Sequence, residues 1–584
     1  MPARLLAWTA TIAGLVLIVV LVTGGFRFEI GPLRLSAHGV AGPLLVMAVS
    51  AGALRWLGAV RGRDALASLT SALATHAPVV ALVSAVAIAG IGAGFGTFAA
   101  SSADPSAYVS HSVLIDRGQL TIDEPLARTV GWHEATWTFS PLGYRPGTTP
   151  GTIVPGYPLG LPLVMAAARR FTGESGPFLV GPAMAALTVL ATYAIAARWA
   201  TPVAGAIAAV LLASSPIVQF QTVQPMSDVP AMAWWTLAGA CAGRRTRAAA
   251  AGSGLLAGMA VLTRPNLVPL AALVAAVAFG WPRTTPRSPV DVHRGVVCLA
   301  GAATGVLALA ALQWHLHGSP LHSGYGDTSD FFAVANIWPN IGDYAARLLS
   351  GEGPALILTA AALATLAVTR ARGPWPGGLM KLAAVAMGLV LMLYLPFGVF
   401  PDWAYLRFLL PAFPLAFVAI GAVTSLALDR LAPPVRGVVL LASLTLLVSF
   451  NVTHAAQQSV YALRDYEARY RTVGVYLARS LSPDAVIVTS QQSGSARHYT
   501  GLPVLRWDLL AVDLETAIGR LRALGRHPVL VVEDWEKPAL RQRFPSGPLA
   551  SLDWTPRAEA GRTTRVGVWD PDDRGANVVT EQLP

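Results

Sequence analysis

The sequence predicts an α-helical polytopic membrane protein of about 13 membrane spans, with a small α/β domain at its C-terminal end. Three observations predict it. Hydrophobic residues make up 54% of the 584-residue chain and charged residues only 12%, about half the roughly 25% of a soluble globular protein. Apolar windows of about 20 residues, the length that crosses a bilayer, recur as far as Asn451. The polar remainder is concentrated in one tail. Residues 455–584 hold 16 Lys and Arg against 15 Asp and Glu, so the apolar part keeps 26 basic and 16 acidic residues and nearly all of the net charge of +11.

That distribution argues against nucleic acid as a partner, because the cations of a membrane protein collect in its cytoplasmic loops. Cys241 and Cys298 lie far apart in apolar segments. They read as small core residues, with neither a disulfide framework nor metal-ligand spacing.

The first apolar segment, 5–22, follows Arg4 and has no small-residue cleavage site before 24–28, so it is expected to be a retained anchor. Segments at 39–58 and 70–100 precede a polar stretch from Ser101 to about Pro155. Further spans are expected near 177–197, 202–220, 229–243, 248–263, 266–281, 295–314, 354–369, 379–399, 408–428 and 437–453. With the N-terminus cytoplasmic, the inside loops hold 16 basic and 3 acidic residues, and the outside portions of the membrane part hold 10 basic and 13 acidic. The positive-inside rule therefore sets this orientation, and an odd number of spans places the tail outside. Polar residues then gather on the outer side, in 101–155, in a loop at 319–353 and in the tail. A transporter would keep polar groups near mid-membrane. Here the acidic residues cluster beyond the span ends, so chemistry is expected at the outer membrane surface.

In the tail, the β-branched runs 485–489 (AVIVT) and 528–533 (PVLVVE) are separated by a helical pattern at 514–524. The alternation predicts a parallel or mixed sheet flanked by helices. Two units are expected: a transmembrane catalytic part over 1–454, and an extracytoplasmic α/β domain over 455–584 that carries no phosphate loop or nucleophile elbow and caps the membrane site.

The first chemical signal is Asp104, directly after a span and followed by Pro105, Tyr108, His111 and the phrase Asp116-Arg117-Gly118-Gln119-Leu120. A carboxylate at the lipid–water boundary is partly desolvated, which suits a base. The same Asp-Pro also suits an ordinary helix cap. Further on, Asp123, Glu124, His133 and Glu134 interleave with Trp132 and Trp137. Carboxylates beside indole faces serve sugar recognition, and tryptophans also belong to any interfacial loop.

Five phrases in order, over roughly Ser102 to Pro411, resemble the GT-C glycosyltransferases, and among them the protein O-mannosyltransferases and the lipid A aminoarabinose transferases. They are the Asp104 loop, Gly156-Tyr157-Pro158-Leu159-Gly160-Leu161-Pro162, Gln224-Pro225-Met226-Ser227-Asp228, Thr263-Arg264-Pro265 and Arg407-Phe408-Leu409-Leu410-Pro411. The later outer loop with His322, Tyr325, Asp327 and Asp330 resembles a sixth family phrase.

The resemblance implies transfer of a sugar from a polyprenyl-phosphate donor to a lipid, glycan or protein acceptor at the extracytoplasmic face of the plasma membrane, usually with inversion. Such transfer needs a carboxylate to take the acceptor's proton and cations to stabilise the leaving phosphate. Asp104 is the candidate base, with Asp228 as a second catalytic carboxylate. Arg407 and Arg264 are the candidate phosphate ligands, and Tyr108, His111, Glu134, Tyr157 and Tyr325 the candidate substrate contacts. Family members often carry Asp-Glu where this chain has Asp104-Pro105. No metal ligand is therefore assigned, and a divalent metal stays open. A polytopic transporter or lipid flippase with an extracytoplasmic domain is the alternative.

Overall fold

The computed structural model describes residues 2–30, 33–37, 39–56, 59–282, 288–326, 331–369, 377–545 and 547–584. Each apolar segment singled out in the sequence folds as helix. Among the described residues, eight helices are long and apolar enough to cross a bilayer: Ala3–Thr23, Arg63–Phe95, Gly160–Trp199, Pro289–His317, Val334–Val368, Gly377–Tyr394, Trp403–Leu428 and Pro433–Gln457. A ninth counts if Pro202–Ser214 and Pro216–Thr222, bent by 59°, form one span. The remaining four expected spans, Ala41–Trp56, Asp228–Ala242, Arg247–Thr263 and Pro269–Ala278, have 10 to 17 residues. At 1.5 Å per residue they reach about 15–25 Å, short of a hydrocarbon core about 30 Å thick. Hydropathy reports how apolar a segment is, and here it also marks three short helices that are mostly buried among others, whereas Ala41–Trp56 is largely exposed.

Small residues let these helices approach closely. Gly254 and Gly258 on Arg247–Thr263 face Gly301 and Gly305 on Pro289–His317. A Cβ on Gly254 would stand 2.2 Å from the Cys298 carbonyl, and one on Gly305 would stand 2.3 Å from the Gly258 Cα. Both helices carry the small-xxx-small spacing that brings backbones together in lipid. Cys298 is buried at this seam, and both cysteines are free.

One sequence expectation is corrected. The region 319–353 is not a loop throughout, because Ile337–Val368 is a single helix that runs through Pro354. Ile337, Ile341, Tyr344 and Leu348 recur at helical spacing, a stripe that a 20-residue hydropathy average conceals. Glu352, expected outside, is thereby buried within the helical bundle. The fourth residue of this helix, Asn340, donates to the carbonyls of Leu395 (2.9 Å) and Phe397 (2.7 Å). Asp327 and Asp330 lie outside the described residues.

The polar end is built on a six-stranded mixed sheet. Its order is Glu581–Gln582, Ala558–Ala560, Val566–Trp569, His527–Glu533, Ala485–Val488, Val504–Leu505. Ala485–Val488 runs parallel to His527–Glu533, with Val486 opposite Pro528 and Val488 opposite Leu530, and Val566–Trp569 lies antiparallel on the other side. The helix Leu514–Ala523 lies between the two parallel strands in sequence. The 101–155 stretch is not a free loop beside this sheet. Val130, Trp132 and Phe139 share one apolar cluster with Val486, Val488, Leu530 and Trp569, and the amide of Arg506 donates to the Thr138 carbonyl at 2.7 Å.

Candidate active site

Asp104 opens the helix Asp104–Asp116, with Ala103 as its N-cap, Pro105 in the first turn and no side-chain cap bond. The carboxylate is thus not spent on capping. Its Oδ1 accepts from the Tyr157 hydroxyl at 2.6 Å and its Oδ2 from Arg407 Nη2 at 3.4 Å. Arg407 comes from the 3-10 stretch Trp403–Ala412, where Asp402 is occupied in capping the amide of Ala404 at 2.7 Å. The guanidinium stands 5.2 Å from the ring centre of Tyr405 and 5.4 Å from that of Phe408. Its Nε is buried without a hydrogen-bond partner.

The second carboxylate repeats the arrangement with a tighter pair. Asp228 is the first residue of Asp228–Ala242 and does not cap it. It is 1% exposed and stands 2.9 Å from Arg264 Nη2. Both of its oxygens lack an aligned hydrogen bond. Ser227, just before it, accepts from the Tyr108 hydroxyl at 2.9 Å. Arg264 lies 5.7 Å from the ring centre of Phe408 and donates to the Tyr394 hydroxyl at 3.3 Å, which also takes a bond from Asn266 at 2.8 Å. Two aspartate–arginine pairs therefore flank one aromatic ring. Their unfilled donors and acceptors mark a place where a polar ligand would be held.

Aromatic residues close one side. Tyr157 packs against Tyr108 and, edge-on, against Tyr325, each at 5.3 Å between ring centres. Burial, reinforced by Asp104, lifts the Tyr108 phenol to about 12 and holds that of Tyr157 well above its ordinary value. Both stay protonated and act as donors. His111 is fully buried, edge-on to Tyr144 at 4.9 Å. Burial drives its pKa down to about 3, against a smaller opposing effect of the Gly143 backbone, so it is neutral and carries no charge to a substrate.

Asp104, Asp228, Arg264, Arg407, Tyr108, Tyr157 and Tyr325 are thus brought together, with His111 packed behind them. Glu134 is not. It is an exposed residue in left-handed backbone (φ +54) at the head of the short helix Ala135–Thr138, and it makes none of the contacts that join the others. Trp132 is buried and stacked on Phe139 at 6.2 Å, and Trp137 lies under the Arg145 guanidinium at 4.8 Å. Glu124 is buried in an ion pair with Arg497. Asp104 and Asp228 each carry an arginine, and no third metal-ligating side chain joins them among the described residues. This donor set is that of an ion-pair network, and we assign it no metal.

Sequence reasoning missed the clamp on the segment that carries Asp104. Phe98 (φ +45) and Ser102 (φ +49) take left-handed backbone that side chains disfavour. The segment is held by distant residues: Arg464 Nε donates to the Gly96 carbonyl (2.6 Å), the Ala100 amide to the Tyr499 hydroxyl (2.9 Å) and Gln491 Nε2 to Ser102 Oγ (3.0 Å). The partners lie hundreds of residues downstream and belong to no local motif.

No protein-family model and no curated protein matches the chain. Among solved structures, ArnT from Cupriavidus metallidurans bound to undecaprenyl phosphate matches 80% of this chain and 95% of its own, with a TM-score of 0.51 and 14% identity. The apo form of that protein matches 84% of this chain and 97% of its own, with a TM-score of 0.51 and 13% identity. The chain has the GT-C fold. In this GT-C fold the two aspartate–arginine pairs come from four separate segments, Asp104–Asp116, Asp228–Ala242, the end of Arg247–Thr263 and Trp403–Ala412.

Proposed function

We propose that this protein is an integral membrane glycosyltransferase that moves a sugar from a polyprenyl-phosphate donor to a hydroxyl-bearing lipid, glycan or protein at the extracytoplasmic face, with inversion. The observation that carries the reading is the Asp104–Arg407 contact: a carboxylate for the acceptor proton and a guanidinium for the leaving phosphate, side by side after a span. The contact is long, and Arg407 has an unpartnered Nε, so the guanidinium is free to turn toward an arriving phosphate. Asp104 then holds the acceptor hydroxyl with the oxygen that Arg407 leaves. As the acceptor oxygen attacks the anomeric carbon, its proton passes to Asp104 and the bond from sugar to phosphate oxygen breaks. The electron pair leaves on the phosphate, beside Arg407. Tyr157 orients Asp104 through its 2.6 Å hydrogen bond. Arg264 is the second cation, and Asp228 holds it in place at 2.9 Å. In this reading residues 1–454 form the catalytic part, and the C-terminal α/β unit, 455–584, lies outside as its cap.

Mass analysis of cell-envelope glycans and glycolipids tests this, with the protein absent, wild type, or Asp104→Asn. Loss of the same sugar from the same acceptor in the null and the Asn variant is the expected result, and an unchanged profile in the variant removes Asp104 as the base. One observation favours the transporter alternative, namely the buried Glu352 carboxyl, which accepts from Ser215 at the bend between Pro202–Ser214 and Pro216–Thr222. That reading expects an unaltered glycan profile in Asp104→Asn and an altered distribution of lipid between leaflets in Glu352→Ala.

A further inference from the structure

The helix Leu463–Ser480 has two faces. One, with Tyr470, Val473, Gly474 and Leu477, is buried. The other carries Arg464, Ala468, Arg471, Val475 and Arg479, spaced four, seven, eleven and fifteen residues from the first, so all five share one stripe. This stripe lines a cleft of about 1000 Å³ whose opposite wall includes Thr97, Phe98 and Ala99.

Three features define what the cleft can hold. Its level is that of the lipid head groups, because the spans Arg63–Phe95 and Pro433–Gln457 end just before its two walls begin. Its charge is cationic at the centre. Arg471 and Arg479 are exposed and join no ion pair among the described residues, and Arg464 uses its Nε on the Gly96 carbonyl. The acidic side chains of the lining are Asp465 and Glu581, and Pro584 also lines it, so the free cations of the cleft among the described residues are the exposed Arg471 and Arg479. Its apolar lining comes from Phe98, Ala99, Ala468, Val475 and Leu583, with Phe98 under the Arg464 guanidinium at 5.1 Å. A cationic stripe against an apolar wall at head-group depth fits an amphiphile whose head carries a phosphate.

We propose that this cleft binds the head group of an anionic phospholipid, with Arg471 and Arg479 on the phosphate and the glycerol end against Phe98 and Leu583. The site is separate from the Asp104 pair and does not depend on the transfer reaction. Through Arg464, which also holds Gly96, a bound lipid abuts the segment that leads to Asp104.

The full-length protein in detergent micelles, analysed by native mass spectrometry during titration with phosphatidylglycerol, phosphatidylcholine or inorganic phosphate, tests the proposal. Phosphatidylglycerol is expected to bind at least ten-fold tighter than phosphatidylcholine. Each arginine near an anionic lipid contributes about a five-fold factor, so Arg471→Ala/Arg479→Ala should weaken phosphatidylglycerol about 25-fold and leave phosphatidylcholine unchanged. The single Arg479→Ala change should give about five-fold. Unaltered thermal unfolding of the variants would show that the fold is kept, and both side chains are exposed. Equal binding of the two lipids by the wild type overturns the proposal, as does undiminished phosphatidylglycerol binding by the double variant. Displacement of phosphatidylglycerol by equimolar inorganic phosphate also overturns it, because the site would then recognise free phosphate.

Discussion

Two carboxyl groups near the stretch Trp403–Ala412 meet the same problem in different ways. Asp104 and Arg407 form a charged pair with Tyr157 as a further donor. Glu352, whose neighbour Gly351 approaches Leu406, is 3% exposed and has no cation beside it among the described residues. It accepts from the Ser215 hydroxyl at the 59° bend, and its other oxygen is buried without a partner. Beside it, Asn451 donates to Ser214 at 3.2 Å and leaves its own Oδ1 unfilled. A charge in an apolar bundle is costly unless it is paired. The first arrangement pairs its carboxylate with a cation, and the second holds a carboxyl at the bend through one hydrogen bond from Ser215.

The largest effect that would break this contrast is on turnover. Asp104→Asn should lower transfer by about 10²–10⁴-fold, the usual worth of a positioned base, with thermal unfolding in detergent unchanged. Normal turnover in that variant would reduce Asp104 to a structural residue. Next in size is Asp228→Ala, which leaves Arg264 buried and unpaired and should cost about 3–5 kcal/mol of stability. A melting temperature equal to wild type would mean that Arg264 finds another anion. Arg407→Ala should lower kcat by about 10²–10³-fold, the scale of removing one donor to a developing oxyanion, and Arg407→Lys should recover part of it. A change confined to donor KM would place Arg407 on ground-state binding only.

Smaller effects sharpen the other side of the comparison. Glu352→Gln keeps a hydrogen-bond acceptor of the same shape and should cost less than about 1 kcal/mol, whereas Glu352→Ala, which strips the partner from Ser215, should cost about 1–3 kcal/mol. Equal losses for the two would show that an amide cannot take the carboxyl's place beside Ser215. The smallest effect concerns pH. Burial drives His111 to about 3 and His498 to about 4, both below the ordinary 6.5. The unfolded chain therefore takes up protons first as pH falls. Their contribution is complete above about 6.5 and is lost progressively as pH falls, toward about 4 for His498 and about 3 for His111. Replacing His498, which lies 3.3 Å from Ser110 Oγ, by Gln should flatten part of that slope in unfolding measured from pH 7 to 5.

The sequence singled out residues that the structure brings together, but not which of them meet. Asp104 could be singled out because a carboxylate directly after a span is unusual in an apolar chain, and Tyr157, Asp228, Arg264 and Arg407 because their phrases resemble those of the GT-C glycosyltransferases. That Asp104 pairs with Arg407, and Asp228 with Arg264, could not be read, since each pair joins segments far apart in the chain. Glu134 shows the opposite error. Acid beside tryptophan looked like a sugar site, but Trp132 faces the sheet core and Glu134 faces solvent. Glu352 was hidden because a window average treats a polar residue before an apolar run as the end of a loop.

By itself the sequence determined that the chain is a helical membrane protein, where its apolar helices lie, and that its tail alternates strand and helix. Those features follow from composition and periodicity, which act over neighbouring residues. Only the tertiary structure decided how many helices are long enough to cross a bilayer, and that the 101–155 stretch and the tail share one core. It also decided which arginine meets which aspartate. Burial and ion pairing depend on contacts across hundreds of residues, and the low dielectric between packed helices allows a charge to remain only where such a contact supplies its partner.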